Sequence, residues 1–414
     1  MRIALLSKEY PPYIYGGAGV HVEYLSKELS RLEQGGHEVQ VLCFGDQIEN
    51  RGSLQVKGLQ TDCSLPAVDP RHKKVFGPLL YNLLMAGELK VPDIVHCHTW
   101  YTHFAGCMVK ELFNIPLVLT THSLEPHRPW KVEQLGGGYN LSTWLEKTAY
   151  QHADGVVAVS KAMQKDVQEL YSVDPEKVQV IHNGIDPREY KPRYDSEVLD
   201  EYGIDRQTPY VLFVGRITRQ KGIIHLVRAI ESLNSGVQVV LCAASPDTEE
   251  IAREMQKQIS KAKSLEDKRV VWIKEPVPKE KIIPLYSQAA VFVCPSVYEP
   301  FGIINLEAMA CATPVVASAV GGIPEIVVPE DTGLLVPFTP CSPENQEPQD
   351  PGAFSLDLAK AINRILENPD LQREMGERAR KRVVEYFSWT SVAQSTLNFY
   401  KQLQAMKQKQ AAGG

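Results

Sequence analysis

The feature that most constrains this chain is a strand-helix rhythm that runs once through its first half, stops, and starts again. Short β-branched and apolar runs at Arg2 to Ser7, Glu38 to Cys43, Asp93 to His96, Leu117 to Thr121, Gly155 to Ser160 and Val178 to His182 alternate with helical segments. Runs of that length, apolar on both faces, belong in a parallel sheet covered by helices. After Asn183-Gly184-Ile185-Asp186-Pro187 the chain turns polar and loses its periodicity up to Thr208-Pro209. The rhythm then restarts at Tyr210 to Gly215 and continues through Val237 to Cys242, Arg269 to Ile273, Ala290 to Cys294 and Pro314 to Ala317. A chain of 414 residues, 43% hydrophobic, exceeds one comfortable core and can build two. The expectation is α/β, with two doubly wound, Rossmann-like domains: residues 1–190, and residues 191–387, with a helix over 388–410 crossing back to the first. Residues 338–352, crowded with Pro, Glu and Gln, read as a surface loop.

Open parallel sheets bind ligands at the carboxyl ends of their strands, so two facing sheets would present loops to a common cleft. The formal charge of -6 speaks against a nucleic-acid or membrane-surface partner, which would require a basic face. Eight cysteines without a Cys-x-x-Cys pair read as reduced thiols of a cytoplasmic protein. The N-terminal run is too short and too quickly polar for a signal peptide, and no apolar stretch approaches bilayer length.

The motifs fall on strand ends. Gly16-Gly17-Ala18-Gly19 follows the first strand and opens a helix, so its backbone amides could face an anion. A tight packing turn explains such a loop equally well, and the third glycine of a dinucleotide fingerprint is missing. Gly215-Arg216 with Lys221-Gly222 follows the strand that opens the second series, placing two cations where a diphosphate could be met. Solvated surface cations are the plainer alternative. Glu299-Pro300-Phe301-Gly302-Ile303 turns into a helix that carries Glu307 about two turns on. Amides near Gly302 and Ile303 could meet phosphate or sugar oxygens, with Glu299 near sugar hydroxyls and Glu307 near ribose; a capping carboxylate and an ordinary helix glutamate would give the same pattern. His122 sits at the carboxyl end of Leu117 to Thr121, where it could meet a sugar hydroxyl or serve structure alone. Trp130 and Tyr139, with Glu125 nearby, offer flat faces and polar edges of the kind that sugar acceptors use. His96-Cys97-His98 does not complete a ligand spacing, and the chain contains no Asp-x-Asp, so no metal is expected.

Together, Gly215-Arg216, Lys221-Gly222 and the Glu299/Glu307 pair resemble the family-four retaining glycosyltransferases of GT-B architecture, over nearly the whole chain. Glu9-Tyr10-Pro11-Pro12, Tyr15 to Val22, His98-Thr99-Trp100-Tyr101, His122 to Lys131 and Glu133 to Tyr139 are similar to the short, actinobacterial-type glycogen synthases. That resemblance implies ADP-glucose or UDP-glucose as donor, and as acceptor an α-1,4-glucan, a maltooligosaccharide or glucose 1-phosphate, the last giving maltose 1-phosphate. It assigns Arg216 and Lys221 to the diphosphate, Glu299 to the donor glucose, Glu307 to the ribose and His122 to the glucose near its reacting carbon. Gly16, Gly17, Phe301, Gly302 and Ile303 would supply backbone around the donor, without a cofactor. One departure stands out: longer glycogen synthases carry Lys-Thr-Gly-Gly-Leu in the first loop, where this chain has Ile14-Tyr15-Gly16-Gly17. Sucrose or sucrose-phosphate synthesis, nucleotide-sugar epimerisation and a catalytically silent binding module are the competing readings. Self-association as a homodimer is left open.

Overall fold

The computed structural model describes residues 1–244, 246–342 and 345–413. The chain divides into two compact units, Met1–Gly184 with the C-terminal segment from Trp389, and Ile185–Ser388. Residues 185–190, expected in the first unit, belong to the second. The reason is local bonding: the Ile185 amide donates to the Phe387 carbonyl and the Tyr190 hydroxyl to Glu307.

In the first unit the strands are β1 (Arg2–Ser7), β2 (Glu38–Phe44), β3 (Ile48–Arg51), β4 (Leu54–Leu59), β5 (Ile94–His98), β6 (Leu117–Thr121), β7 (Gly155–Ala158) and β8 (Val178–Val180). Among the described residues they form one sheet in the order β3-β4-β2-β1-β5-β6-β7-β8, parallel except for the β3–β4 pair. β5, β6 and β7 are buried at every position, which is why they read as largely apolar runs, with His96, His98, Thr120 and Thr121 as buried polar exceptions. The β3–β4 hairpin is an addition to the expected strands. It forms the edge, where β4 buries Leu54, Val56 and Leu59 while Gln55 and Lys57 face out.

The C-terminal helix Trp389–Gly413 closes this unit's core. Trp389, Leu397, Tyr400 and Leu403 pack in one cluster with Ile3 and Leu5 of β1 and Val22 and Leu25 of the helix Gly17–Arg31. Each such side chain contributes about 1.5–3 kcal/mol when fully buried. Tyr400 also reaches His96 of β5 at 2.5 Å, fixing the helix against the sheet by a polar contact.

The second unit repeats the plan with β9 (Tyr210–Arg216), β10 (Val237–Ala244), β11 (Lys268–Ile273), β12 (Val291–Cys294), β13 (Val315–Ser318) and β14 (Gly333–Val336), in the order β11-β10-β9-β12-β13-β14 and parallel throughout. In each sheet the strand order reverses once, between β1 and β5 and between β9 and β12. Such switch points open a crevice at the strands' carboxyl ends. The loops leaving β1, β5, β9 and β12 therefore carry, in turn, Gly16, Thr99, Lys221 and Glu299. No described helix is long and apolar enough to cross a membrane.

Candidate active site

In the second unit, β9 ends at Arg216 and the chain turns back through Lys221 and Gly222. Gly222 has φ +60°, and a Cβ there would stand 1.9 Å from the Pro295 carbonyl oxygen, so only glycine lets this turn press against the end of β12. The contact brings Lys221 to Glu299: Nζ donates to Oε2 at 2.7 Å. Ser296, fully buried, donates its hydroxyl to the same oxygen at 3.0 Å. No described residue bonds to the other oxygen, Oε1, so the carboxylate is held by one edge and can accept from a ligand with the other. Gly302, φ +104°, opens the helix Ile303–Ala310, with Phe301, Gly302 and Ile303 all buried. Behind this turn Asn305 is fully buried with neither its side-chain oxygen nor nitrogen bonded.

Arg216 and Glu307 make contacts that the sequence did not announce. Arg216 donates to Asp247 at 3.0 Å, so its charge is matched by a carboxylate on the segment after β10. The Glu307 carboxylate accepts from the buried Tyr286 hydroxyl at 2.9 Å and from Tyr190 at 3.3 Å. Burial raises its pKa, and the two tyrosine hydrogen bonds oppose that rise.

In the first unit, Gly16 caps the helix Gly17–Arg31. The amides of Tyr15 and Gly16 donate to Glu9 Oε2 at 2.9 and 2.8 Å. A carboxylate thus already occupies part of the turn that the sequence offered to an anion.

His122 follows β6 and meets two other imidazoles. His98 Nδ1 lies 3.0 Å from His122 Nε2, and the His21 ring centroid is 4.8 Å from that of His122. His21 is anchored to Asn183, 162 residues away, by a 2.6 Å bond between Nδ1 and Oδ1. Burial holds all three neutral: it lowers the pKa of His21 to about 4, and puts His98 and His122 well below the usual imidazole value. One nitrogen from each lies within 4.8 Å of the others. These are groups that could ligate a metal, although His98 and His122 already satisfy one another. His96, the other half of the His96-Cys97-His98 run, is fully spent on Tyr400 and Thr120.

Of the three residues expected at an acceptor, Glu125 is instead internal. It is 1% exposed; Oε1 accepts from Lys131 at 2.6 Å and Oε2 from Ser142 at 3.1 Å. Its amide donates to Glu146, which is also buried. The physical reason is the neighbouring lysine, which burial and the adjacent Arg128 charge push down to about 8 and which a carboxylate keeps charged. Tyr139 donates its hydroxyl to the Glu125 carbonyl at 2.7 Å, and Trp130 is partly exposed with its indole N–H unbonded. Ser296 and His21 stand beside these groups although motif reading did not single them out, whereas His98 was weighed there as part of the His96-Cys97-His98 run.

The fold is that of two Rossmann-like units with charged and glycine-rich loops at their switch points, and comparison with known proteins gives the class, a sugar-transfer enzyme. Residues 15–189 match the family Glycosyltransferase Family 4 and residues 196–382 match Glycosyl transferases group 1. The chain is 44% identical to an α-maltose-1-phosphate synthase of Mycolicibacterium smegmatis, over 98% of this chain and 100% of that protein. It is 28% identical to a glycogen synthase of Mycobacterium tuberculosis, over 97% of this chain and 94% of that one. Sucrose-phosphate synthase from Thermosynechococcus elongatus has the same fold, with a TM-score of 0.77 at 27% identity, covering 98% of this chain and 99% of that chain. The chain belongs to the GT-B glycosyltransferases and is a hexosyltransferase.

Proposed function

We propose that this enzyme transfers glucose, with retention, from ADP-glucose or UDP-glucose to glucose 1-phosphate, forming maltose 1-phosphate. The observation that carries the reading is the end-to-end identity of 44% to α-maltose-1-phosphate synthase, against 28% to glycogen synthase. Lys221 and Arg216 are assigned to the donor diphosphate, Glu299 Oε1 to the glucose hydroxyls, Glu307 to the ribose and His122 to the sugar near its reacting carbon. Gly16 and Gly17 supply first-unit backbone to the donor, and Phe301, Gly302 and Ile303 second-unit backbone.

The bond from the anomeric carbon to the diphosphate oxygen breaks as the acceptor hydroxyl adds on the same face. The hydroxyl proton goes to the departing diphosphate. Positioning and electrostatic support of that leaving group then supply most of the rate, and Lys221 and Arg216 do the work that a divalent cation does in other transferases. On this reading the reaction needs no metal, and turnover persists in EDTA.

The deciding experiment is a matrix of ADP-glucose and UDP-glucose against glucose 1-phosphate, maltooligosaccharides, glycogen and fructose 6-phosphate, with product linkage determined. Maltose 1-phosphate joined α-1,4 is the expected product. Glucan elongation alone, or a sucrose phosphate, overturns the assignment of acceptor; nucleotide release without a glycoside overturns transfer.

A further inference from the structure

Arg128 stands in the segment between β6 and the helix Gly138–His152, directly after the turn Glu125–His127. Its side chain is 16% exposed, and its Nε is buried with no hydrogen-bond partner. The nearest carboxylate oxygen, Glu125 Oε1, is 3.8 Å away, beyond bonding distance, and is already taken by Lys131. Glu125's other oxygen is taken by Ser142. Among the described residues, then, the guanidinium is largely sheltered from water, and its one charge partner is a loose ion pair with a carboxylate oxygen that Lys131 already holds. A sheltered guanidinium whose Nε has no acceptor and whose carboxylate partner is shared is under-satisfied, and an anionic ligand would relieve that cost.

The surroundings define that ligand. The indole N–H groups of Trp130 and Trp100 are likewise buried and unbonded, so this segment has further donors to offer beside Arg128. The Tyr101 ring lies 4.2 Å from the Lys8 ammonium and 5.6 Å from that of Lys131, so the segment that carries Arg128 packs beside the loop leaving β1. A planar fork of N–H donors whose charge is only loosely matched suits the oxygens of a phosphate monoester, which presents acceptors and a double negative charge. The uncharged hydroxyls of a glucan would leave that charge unanswered.

We infer that Arg128 is the seat for the phosphate of a phosphorylated sugar acceptor, and so the residue that selects such an acceptor over an uncharged glucan. The inference rests on the reading of glucose 1-phosphate as acceptor. Lys131, though close, is already committed to Glu125 and serves to hold the segment.

The test is calorimetric titration of glucose 1-phosphate into protein saturated with ADP or UDP, comparing wild type, Arg128→Ala and Arg128→Lys. Loss of a charged, forked contact should weaken the alanine variant by about 10- to 100-fold, with lysine regaining part of the loss. The affinity for the nucleoside diphosphate itself should move by less than about 2-fold, which a general loosening of the loop would not allow. Glucose 1-phosphate bound by Arg128→Ala within about 3-fold of wild type removes Arg128 from the site. A parallel loss of nucleotide affinity reassigns it to the donor. Should wild type make maltose 1-phosphate while the variant binds normally, the seat alone fails. Should wild type extend glucans and not bind glucose 1-phosphate, the acceptor reading fails and the seat with it.

Discussion

Lys221 and Glu299 form an ion pair of 2.7 Å in which the lysine side chain is 16% and the glutamate 8% exposed. Two strand ends at the switch point of the second sheet are tied together by it. The pair also apportions the carboxylate: Oε2 belongs to Lys221 and Ser296, and Oε1 has no bond from a described residue. A lysine ammonium has three N–H donors, so the remaining two can meet phosphate without breaking the pair.

The first prediction follows from that sharing. Lys221→Ala removes the partner of a buried carboxylate and, on the proposed function, the cation that supports the leaving group, and should lower turnover at least ~10²-fold. Glu299→Gln should cost turnover as well, and the double variant should lose much less than the sum of the two, because each single change disables the same assembly. Steady-state kinetics on the four proteins decide it; additive losses would show that the two residues act separately.

Ser296 tests orientation without removing charge. Ser296→Ala takes away one of two donors to Glu299 Oε2 and leaves Lys221 in place, so a fall in turnover of about tenfold is expected, in line with one hydrogen bond to a charged group. Replacement by threonine, which keeps the hydroxyl, should restore part of it. If alanine and threonine are equally impaired, the loss is one of packing and the hydroxyl has no orienting role.

The fold was legible to the extent that strands were buried on both faces. β5, β6, β9 and β12 open on apolar runs (Ile94-Val95, Leu117 to Leu119, Tyr210 to Val214, Val291 to Cys294) and stood out as strands. β3 and β4 did not: Ile48-Glu49-Asn50-Arg51 is polar, and the alternation of β4 serves an edge with one wet face. Among site residues, the carboxylates and cations sat in motifs with fixed spacing. The histidine cluster was hidden because His21, His98 and His122 lie on different elements and Asn183 on another, and only sheet order brings them together. Glu125 misled for the same reason. Its neighbours in sequence are aromatic and acceptor-like, but its partners Lys131, Ser142 and Glu146 turn the carboxylate inward.

Four buried imidazoles and the half-buried His122 make the first unit acid-labile. Burial lowers His21 to about 4 and His103 to about 3, and places His96, His98 and His122 well below the ordinary value. In the unfolded chain each takes up a proton near pH 6.5. As pH falls below that, the unfolded state binds protons that the folded state refuses, so stability present above pH 6.5 is lost toward pH 4. Each imidazole adds a slope of about 1.4 kcal/mol per pH unit. Scanning calorimetry should show Tm falling by at least ~10 °C between pH 6.5 and 5, with proton uptake on unfolding. A flat Tm across that range would contradict the burial of these rings.

Arg380 anchors the start of the second unit. Its guanidinium donates to the carbonyls of Tyr190 at 3.2 Å, Pro187 at 3.4 Å and Ala310, the last in the closing turn of the helix that carries Glu307. Arg380→Ala should cost about 2–4 kcal/mol, since three carbonyls lose a charged donor together. Urea unfolding followed by hydrogen exchange should place the loss in residues 187–190 and 303–310. Exchange unchanged there would mean that packing alone holds the segment.

The pair Lys131–Glu125 is the sharpest test of how the acceptor-side segment is held. Both are buried, at 4% and 1% exposure, and each satisfies the other's charge. Removing one partner strands the other, so Lys131→Met should cost about 3–5 kcal/mol. Combining it with Glu125→Gln removes the stranded charge while Ser142 can still donate to the amide oxygen, so the double variant should recover most of that loss. Equilibrium unfolding of the three proteins gives the answer directly. If the double variant is as unstable as Lys131→Met alone, Glu125 was not the stranded group, and the segment that presents Arg128, Trp130 and Tyr139 is held by something other than this ion pair.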